Sequence, residues 1–173
     1  LPAGISFISF HGVSFLVDAY RKKVKGPVQW RQTGLYLCFF PKLITGPISR
    51  YADFASQIDH PDICPSKIMS GIRRFVIGLG KKVILADSLN RMTGPIFAVP
   101  AGEHTGAMAW LGIIGYTLQI YYDFSGYTDM AIGLSRICGY ELPENFNFPY
   151  ISRSIKDFWR RWHISLARWL QEY

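Results

Sequence analysis

An uncharged stretch of eighteen residues limits the possible folds of this chain more than any other feature. Residues Thr105 to Tyr122 carry no formal charge and include many bulky apolar side chains. A helix needs about 20 apolar residues to cross a hydrocarbon core of about 30 Å, so this stretch lies near the lower limit for a membrane span. Its end, at Tyr116, Tyr121 and Tyr122, fits an interfacial aromatic belt or a packed protein interior equally well. The stretch is a candidate span, and a second uncharged run extends from Leu1 to Val17.

Composition favours a membrane protein over a soluble domain. Charged residues make up 18% of the 173 residues, against about 25% in a typical soluble domain, and aromatic residues make up 16%. The net charge of +7 is concentrated in short basic clusters beside apolar runs. Such clusters are typical of the cytoplasmic edge of a membrane protein, although they also suit a solvated surface or a phosphate-binding face. No zinc-finger spacing or recognition-helix signature favours nucleic acid. The clusters are Arg21–Lys25, Arg73-Arg74, Lys81-Lys82 and Arg160-Arg161.

Cysteine and histidine give no sign of a metal centre. Cys38, Cys64 and Cys138 are widely separated, so they form neither a disulfide framework nor a CxxC motif. His60 lies in the sequence DHPD, whose proline and polar setting favour a surface turn. Because no second cluster completes a coordination sphere, we predict no metal site.

The segment Leu35 to Tyr51 is apolar but interrupted by Pro41, Gly46 and Pro47. These interruptions exclude one continuous spanning helix. Irregular backbone is tolerated at membrane depth only where protein or a water-filled cavity satisfies its polar groups. The segment is therefore a candidate re-entrant element or, equally well, a loop between two buried helices.

The remaining patterns are helical. From Ser66 to Asn90, apolar and basic residues recur in a way that predicts one or two amphipathic helices suited to a bilayer surface. Gly94-Pro95 and Pro100-Ala101-Gly102 predict a loop after them. We predict an all-α, multi-pass helical membrane protein with re-entrant and interfacial helices. The chain begins without Met and stops inside an amphipathic pattern, so we expect residues 1–173 to form a single partial domain, truncated at both ends.

Two carboxylates stand in an apolar helical context, at Asp123 and Asp129. An ionisable group in such a setting is costly unless it is paired or faces a cavity, which makes both residues functional candidates. For Asp129, capping of a helix end beside Gly126 is the preferred interpretation.

The last helix carries a histidine on its apolar side. Ser154 and Asp157 match the S-x-x-D capping pattern, which predicts a helix from Ile155 at least to Leu170, about 24 Å long. His163 lies on or beside the apolar stripe of that helix. A lone histidine on such a face is usually a core residue with a hydrogen-bond partner, and the alternative is a functional imidazole. The stripe consists of Trp159, Trp162, Leu166, Trp169 and Leu170.

Five stretches, in the right order, resemble the membrane-bound O-acyltransferase family, and most closely its bacterial alginate O-acetyltransferase branch. The core stretch is FWRRWHISLARWL, preceded by YYDFSGYTDMAIGL and PENFNFPYISRSI. Two upstream stretches, LPAGISFISFHGVSFLVDAYR and FFPKLITGPISR, resemble the corresponding segments of that branch. The resemblance implies a multi-spanning helical membrane protein that encloses a tunnel, in which acyl donor and acceptor meet from opposite faces.

The resemblance also implies which residues act. His163 matches the catalytic histidine of the family. Asp123 is the natural match, by its distance before His163, for a second family position on an earlier helix. Tyr116 stands where the D-alanyl-transferring branch has a histidine, which argues against that branch. The chain departs from the pattern at Gln171-Glu172, where the resemblance implies a basic residue followed by Asp.

These matches imply transfer of acetyl from acetyl-CoA, as a substrate and with no bound cofactor, toward hydroxyls of an exported polysaccharide. The transfer would take place at the bacterial inner membrane, directly or through a periplasmic acetyltransferase partner. A neutral imidazole at His163 can take the proton of a hydroxyl that attacks a thioester. A non-enzymatic transporter or structural membrane subunit is the alternative. Nucleic acid is not an expected partner.

Other residues have supporting roles in this hypothesis. The aromatic wall that includes Trp159 and Trp162 would keep His163 uncharged and exclude water. Asp123 would orient the imidazole or bind a substrate. Asn145 and Asn147 are candidate donors to the developing oxyanion, although Asx turns between prolines are the preferred interpretation of both.

Overall fold

The computed structural model describes residues 4–24 and 27–173. No β-strand occurs in this part of the chain, which confirms the all-α prediction. Lys25 of the first basic cluster and the start of the first uncharged run lie outside the described residues. The α-helices are α1 (Ile5–Tyr20), α2 (Trp30–Cys38), α3 (Tyr51–Ile58), α4 (Pro65–Gly80), α5 (Asp87–Ala98), α6 (Gly106–Ile137), α7 (Ile155–Trp159) and α8 (Ile164–Glu172). A π-helical segment, Lys81–Ala86, joins α4 to α5.

Helix α6 has 32 residues and a length of about 48 Å. It begins after Thr105, whose hydroxyl accepts a hydrogen bond from the backbone N–H of Met108 at 3.3 Å. Asp123 and Asp129 lie inside this helix, far from either end. The capping interpretation of Asp129 is therefore wrong, and its side chain is paired instead, as described below.

Helices α4 and α6 cross with their backbones in contact. A Cβ atom added at Gly78 would lie 2.6 Å from the carbonyl oxygen of Gly126, and one added at Gly126 would lie 2.8 Å from the carbonyl oxygen of Gly78. Gly71 and Gly133 make the same kind of contact, seven residues away on each helix. Seven residues are about two helical turns, so these glycines form one stripe per helix. This crossing fixes the middle of α6 against the end of α4.

The amphipathic helices predicted between Ser66 and Asn90 are confirmed. The loop predicted after them is confirmed around Pro100, between the end of α5 at Ala98 and the start of α6 at Gly106, but it does not begin at Gly94-Pro95. Pro95 lies inside α5, which continues to Ala98. Ile96 and Phe97 pack against α6 where Gly112 leaves room for them. This packing outweighs the backbone hydrogen bond that proline removes.

The interrupted segment between α2 and α3 is irregular and largely buried. After a 3₁₀ turn at Phe40–Lys42, residues 43–50 form no regular element, so the predicted break in the helix is confirmed. Buried polar groups satisfy one another there: the hydroxyl of Tyr36 donates to the backbone carbonyl of Ser49 at 2.8 Å, and Nζ of Lys42 donates to Oγ of Ser49 at 3.1 Å. The adjoining aromatic core contains Tyr36, Phe39, Tyr51, Phe54, Ile132 and Leu142.

The start of the last helical region agrees with its sequence pattern. Ser154 is the N-cap of α7, and its hydroxyl accepts a hydrogen bond from the backbone N–H of Asp157 at 3.1 Å. This is the first half of the predicted capping pattern.

The predicted continuation of that helix to Leu170 is wrong. Helix α7 ends at Trp159, and α8 begins only at Ile164. The break occurs because residues 145–147 take up backbone hydrogen bonds that a continuous helix would use. The N–H of Asn147 donates to the carbonyl of Arg161 at 2.9 Å, and the N–H of Ile164 donates to the carbonyl of Asn145 at 3.0 Å. The proposed apolar stripe is therefore split between two helices.

Within residues 4–24 and 27–173, no helix combines the length and the apolar character needed to cross a membrane. The candidate span Thr105–Tyr122 forms the first half of α6 and does not meet this criterion. Large apolar side chains on α4 to α6 are nevertheless exposed, including Val76, Ile84, Trp110, Ile113 and Ile114.

Candidate active site

His163 lies in the turn between α7 and α8, where it is the N-cap of α8. Its backbone is left-handed, with φ 45° and ψ 53°, and its side chain is buried. The ring of Phe124, on α6, meets the imidazole edge-on with centroids 4.8 Å apart. The ring of Phe7, on α1, lies nearly parallel to it at 6.5 Å. Three distant parts of the chain therefore enclose this imidazole.

Asn145, in the segment between α6 and α7, contacts the imidazole of His163. Its Oδ1 lies 3.3 Å from Nδ1 of His163, 3.1 Å from the backbone nitrogen of Ser165 and 2.7 Å from Oγ of Ser165. A backbone N–H can only donate, so the Asn145 atom at this point is the carboxamide oxygen. That oxygen can only accept, and Nδ1 of His163 must therefore carry the proton. The second ring nitrogen, Nε2, is left with the free lone pair of a base.

Burial keeps this imidazole uncharged. It lowers the pKa of His163 from 6.5 to about 4, because the charged form loses its hydration inside the protein. At neutral pH the ring is thus neutral, with a proton on Nδ1 and none on Nε2. This is the protonation state that a general base requires before reaction.

The contact between His163 and Asn145 is anchored to the irregular segment before α3. Oγ of Ser165 accepts a hydrogen bond from the backbone N–H of Ile48 at 3.0 Å while it donates to Asn145. Ser165, Asn145 and Ile48 are all buried. The carboxamide that orients His163 therefore has a fixed orientation of its own. The Asx turn proposed for Asn145 is wrong, because its oxygen bonds a residue twenty positions away.

The tryptophans do not form the predicted wall around the imidazole. Trp159 is 51% exposed and packs against Phe158. Trp162 belongs to an aromatic cluster with Phe124 and Phe146, with ring centroids 6.3 and 5.0 Å away. The rings in contact with His163 are phenylalanines. The predicted tryptophan stripe fails because the helix that would have aligned it is interrupted.

Three other candidates lie elsewhere. Asp123 is half-exposed and pairs with Nζ of Lys82 at 2.6 Å, so the partner of His163 is Asn145 rather than this carboxylate. Tyr116 is exposed on α6 and packs against Phe97. Asn147 is exposed and takes part through its backbone in the contact with Arg161.

Asp129 forms a partly buried ion-pair cluster. Its carboxylate lies 2.8 Å from Nη2 of Arg74 and 2.6 Å from Nζ of Lys81, and the Arg74 guanidinium also binds Glu144. Two of the basic clusters thus supply internal partners as well as surface charge. The sequence indicated that Asp129 needs a partner, because a carboxylate in an apolar helix is costly when unpaired. It did not indicate which of the basic residues is that partner.

Two cavities flank the His163–Asn145 pair. One, of about 310 Å³, is lined in part by Ser165, Trp169 and Phe54. The other, of about 150 Å³, is lined in part by Asn145, Ser125 and Asp129. His163 itself is not among the lining residues of either cavity. Asn145 lines the smaller cavity and Ser165, to which it is hydrogen-bonded, lines the larger one.

Sequence reasoning selected His163 and Asn145 but missed Ser165, Phe124 and Phe7. A serine in the first turn of α8 was the available signal for Ser165, since serine is common where it can satisfy free groups at a helix start. Nothing in the sequence distinguishes Phe124 and Phe7 from the other aromatic residues.

Comparison with known proteins identifies the family of this chain. The profile of the MBOAT, or membrane-bound O-acyltransferase, family matches residues 21–173. The chain is 44% identical over 173 residues to the "Probable alginate O-acetylase AlgI" of Pseudomonas aeruginosa, covering 100% of this chain and 33% of that protein. It is 35% identical over 178 residues to the "Teichoic acid D-alanyltransferase" of Bacillus subtilis, covering 98% of this chain and 44% of that protein.

A third relative acts on another cell-wall polymer, by its name. The chain is 34% identical over 200 residues to the "Peptidoglycan O-acetyltransferase" of Helicobacter pylori, covering 100% of this chain and 38% of that protein. The chain thus spans about a third of the length of its alginate-related relatives. The family profile covers most of the chain, including the region around His163. The chain belongs to the membrane-bound O-acyltransferase family.

Proposed function

We propose that the protein containing this chain is a membrane-bound O-acetyltransferase of a bacterial inner membrane. It transfers acetyl from acetyl-CoA toward hydroxyls of an exported polysaccharide, directly or through a periplasmic partner enzyme. His163 is the general base. Relatives named for alginate, peptidoglycan and teichoic acid support a cell-surface polymer as the acceptor class. The identity of 43 to 45% to several alginate O-acetylases favours alginate-type acetylation.

The observation that carries this proposal is the contact between Nδ1 of His163 and Oδ1 of Asn145, from which the protonation state of the imidazole follows. Oδ1 of Asn145 accepts from Nδ1, so Nε2 offers a lone pair inside a buried aromatic setting. A hydroxyl group is a poor nucleophile at neutral pH, and a positioned base removes its proton as the attack proceeds.

The chemical steps follow from that arrangement. Nε2 of His163 accepts the hydroxyl proton while the hydroxyl oxygen forms a bond to the thioester carbonyl carbon. The tetrahedral intermediate then collapses, the bond from carbon to sulfur breaks, and the imidazolium returns its proton to the thiolate. The products are an acetyl ester and the free thiol of CoA. Burial among Phe124 and Phe7 disfavours the transient imidazolium, so this charge is short-lived.

The decisive experiment replaces His163 in the full-length protein. Membranes carrying His163→Ala are tested for transfer of labelled acetyl from acetyl-CoA to the polymer fraction. Removing a general base costs about 10² to 10⁴ in rate, so we expect a loss in that range. His60→Ala is the matched control, because His60 is exposed at the end of α3 and should leave the rate unchanged.

The contrary outcome is also clear. Transfer at the unaltered rate by His163→Ala, at equal amounts of protein in the membrane, would favour the transporter or structural subunit. If His163→Ala loses acetyl transfer and also unfolds at a lower temperature, His163→Gln distinguishes the loss of the base from the loss of stability. Glutamine keeps a polar side chain that can still bond Asn145 but cannot act as the base.

A further inference from the structure

The smaller cavity beside Asn145 contains two buried polar groups without partners. Ser125 is 2% exposed and Asn145 is 1% exposed. Within the described part of the chain, neither Oγ of Ser125 nor Nδ2 of Asn145 makes a hydrogen bond. Both residues line the same cavity of about 150 Å³. Leaving a buried donor unpaired costs free energy, so two such groups at one cavity indicate a polar partner, either bound water or a ligand group that replaces it.

A neighbouring hydroxyl in the same cavity behaves differently. Thr128 is also 2% exposed and lines the cavity, but its Oγ1 donates to the backbone carbonyl of Phe124 at 2.7 Å. Its hydrogen-bonding need is met inside α6. The surplus donors of the cavity are therefore the hydroxyl of Ser125 and the carboxamide N–H of Asn145.

The charges at this cavity cancel one another. Arg74 and Lys81 supply two positive charges, and Asp129 and Glu144, to which they are paired, supply two negative charges. All four residues line the cavity. A ligand group that enters it has no net charge to neutralise, so the group that matches is uncharged and brings an oxygen acceptor.

The cavity is linked to the proposed base through Asn145, although His163 itself does not line it. The oxygen of Asn145 lies within hydrogen-bond distance of Nδ1 of His163, while its nitrogen has no partner and the residue lines the cavity. Ser125 follows Phe124, whose ring touches the imidazole. The volume is below the roughly 300 to 1,000 Å³ of cavities that bind whole drug-sized ligands, so only the end of a larger molecule fits.

We infer that this cavity receives the carbonyl end of the acyl donor, with Ser125 Oγ–H and Asn145 Nδ2–H donating to the carbonyl oxygen. The apolar part of a short acyl group then faces Ile132 and Phe146, which line the same cavity. This inference rests on the proposed acyl transfer and assigns a place to its donor. Ser125 becomes a substrate-binding residue, which no sequence pattern indicated.

The test measures binding to the full-length protein. The probe is the ketone analogue of acetyl-CoA, labelled with ¹³C at its carbonyl, in which a methylene group between sulfur and carbonyl prevents transfer. Losing one hydrogen bond of typical strength should raise the Kd of the probe in Ser125→Ala by about threefold to tenfold. The infrared band of the labelled carbonyl should move to higher wavenumber, because one donor is gone.

Thr128→Val is the matched control. It removes an equally buried hydroxyl from the same cavity, but one whose donor is already used, so both the Kd and the carbonyl band should stay at the wild-type values. Without the probe, Ser125→Ala should unfold at a temperature no lower than that of the wild type, because the hydroxyl it removes has no internal partner.

The outcomes separate this inference from the proposed function. If the probe binds but Ser125→Ala changes neither its Kd nor its carbonyl band, the carbonyl lies elsewhere and the inference is overturned, while acetyl transfer by His163 stands. If the probe fails to bind the wild-type protein, the inference and the assignment of acetyl-CoA as donor both fall. A clear destabilisation of unliganded Ser125→Ala would show an internal partner and would also overturn it.

Discussion

At the scale of single residues, Asn145 determines both the ring and the backbone of His163. Its side-chain oxygen faces Nδ1, and its backbone carbonyl accepts the N–H of Ile164, directly after the histidine. A left-handed backbone at a residue other than glycine costs about 1–3 kcal/mol and is kept only where surrounding contacts require it. Here the contacts to residues 145–147 require it. One asparagine thus contacts both the imidazole of His163 and the backbone directly after it.

The low pKa of His163 predicts an unusual pH dependence. Burial lowers this pKa to about 4, and a general base acts only in its neutral form. The activity should therefore persist as the pH falls below 6.5 and should be lost only as the pH passes through about 4. The measurement is kcat/KM for acetyl transfer as a function of pH. An acidic limb at the ordinary histidine pKa of 6.5 would contradict the buried, uncharged site.

A single substitution should move that limb. Asn145→Asp places a carboxylate beside Nδ1, which stabilises the imidazolium and raises the pKa of His163. The acidic limb of kcat/KM should shift to higher pH, while Ser165 can still donate to the new side chain. Asn147→Asp adds the same charge two residues away on an exposed side chain and serves as the control. Equal shifts in the two variants would mean that Asn145 does not contact the base.

The sequence could single out His163 and Asn145 but could not join them. Each stood out as a polar residue among aromatic and apolar ones. Their contact requires residues 145–147 to run beside residues 161–164, and no local pattern encodes that pairing. For the same reason Asp123 was the nearest candidate by spacing, whereas its side chain pairs with Lys82.

At the scale of elements, local signals were reliable at helix starts and unreliable at helix ends. The cap at Ser154 was predictable because its hydrogen bond reaches only three residues. The end of α7 at Trp159 was not, because distant backbone groups interrupt the helix. Pro95 is the opposite case, since packing against α6 carries α5 past a residue that usually ends helices.

The crossing of α4 and α6 predicts how two glycines differ. A methyl group at Gly78 would lie 2.6 Å from a backbone oxygen of α6, so Gly78→Ala must separate the helices, at a cost of about 1–3 kcal/mol in unfolding free energy. Gly80, two residues later, has nothing within 4 Å of an added Cβ. Gly80→Ala should instead stabilise the helix by up to about 1 kcal/mol.

Thermal unfolding of the purified full-length protein would measure both changes. Because the same crossing fixes α6, whose Phe124 contacts the imidazole of His163, Gly78→Ala should also reduce acetyl transfer, whereas Gly80→Ala should not. A tolerated alanine at Gly78 would mean that the two backbones are not in contact in the complete protein.

At the scale of the whole molecule, the sequence was enough to predict the fold class. It was not enough to predict what covers the exposed apolar side chains. Low charge and helical spacing indicated an all-α chain. The exposed apolar side chains on α4 to α6 cannot be interpreted from the chain alone. The comparison is informative here, because this chain covers about a third of the length of its alginate-related relatives.

Those surfaces predict how the full-length protein is attached to the membrane. If the apolar side chains of α4 to α6, such as Ile84 and Trp110, are covered by lipid or by membrane-embedded chain, attachment depends on the hydrophobic effect. The protein should then stay in the membrane pellet in high salt and in alkaline carbonate, and leave it only with detergent. If attachment depended on the basic clusters instead, screening at 1 M salt, where the Debye length is about 3 Å, would release it. Several of these basic residues, including Arg74, Lys81 and Lys82, already pair with carboxylates within the chain, which leaves less charge for lipid. Retention in salt is therefore the expected result, and release by salt alone would contradict an embedded acyltransferase.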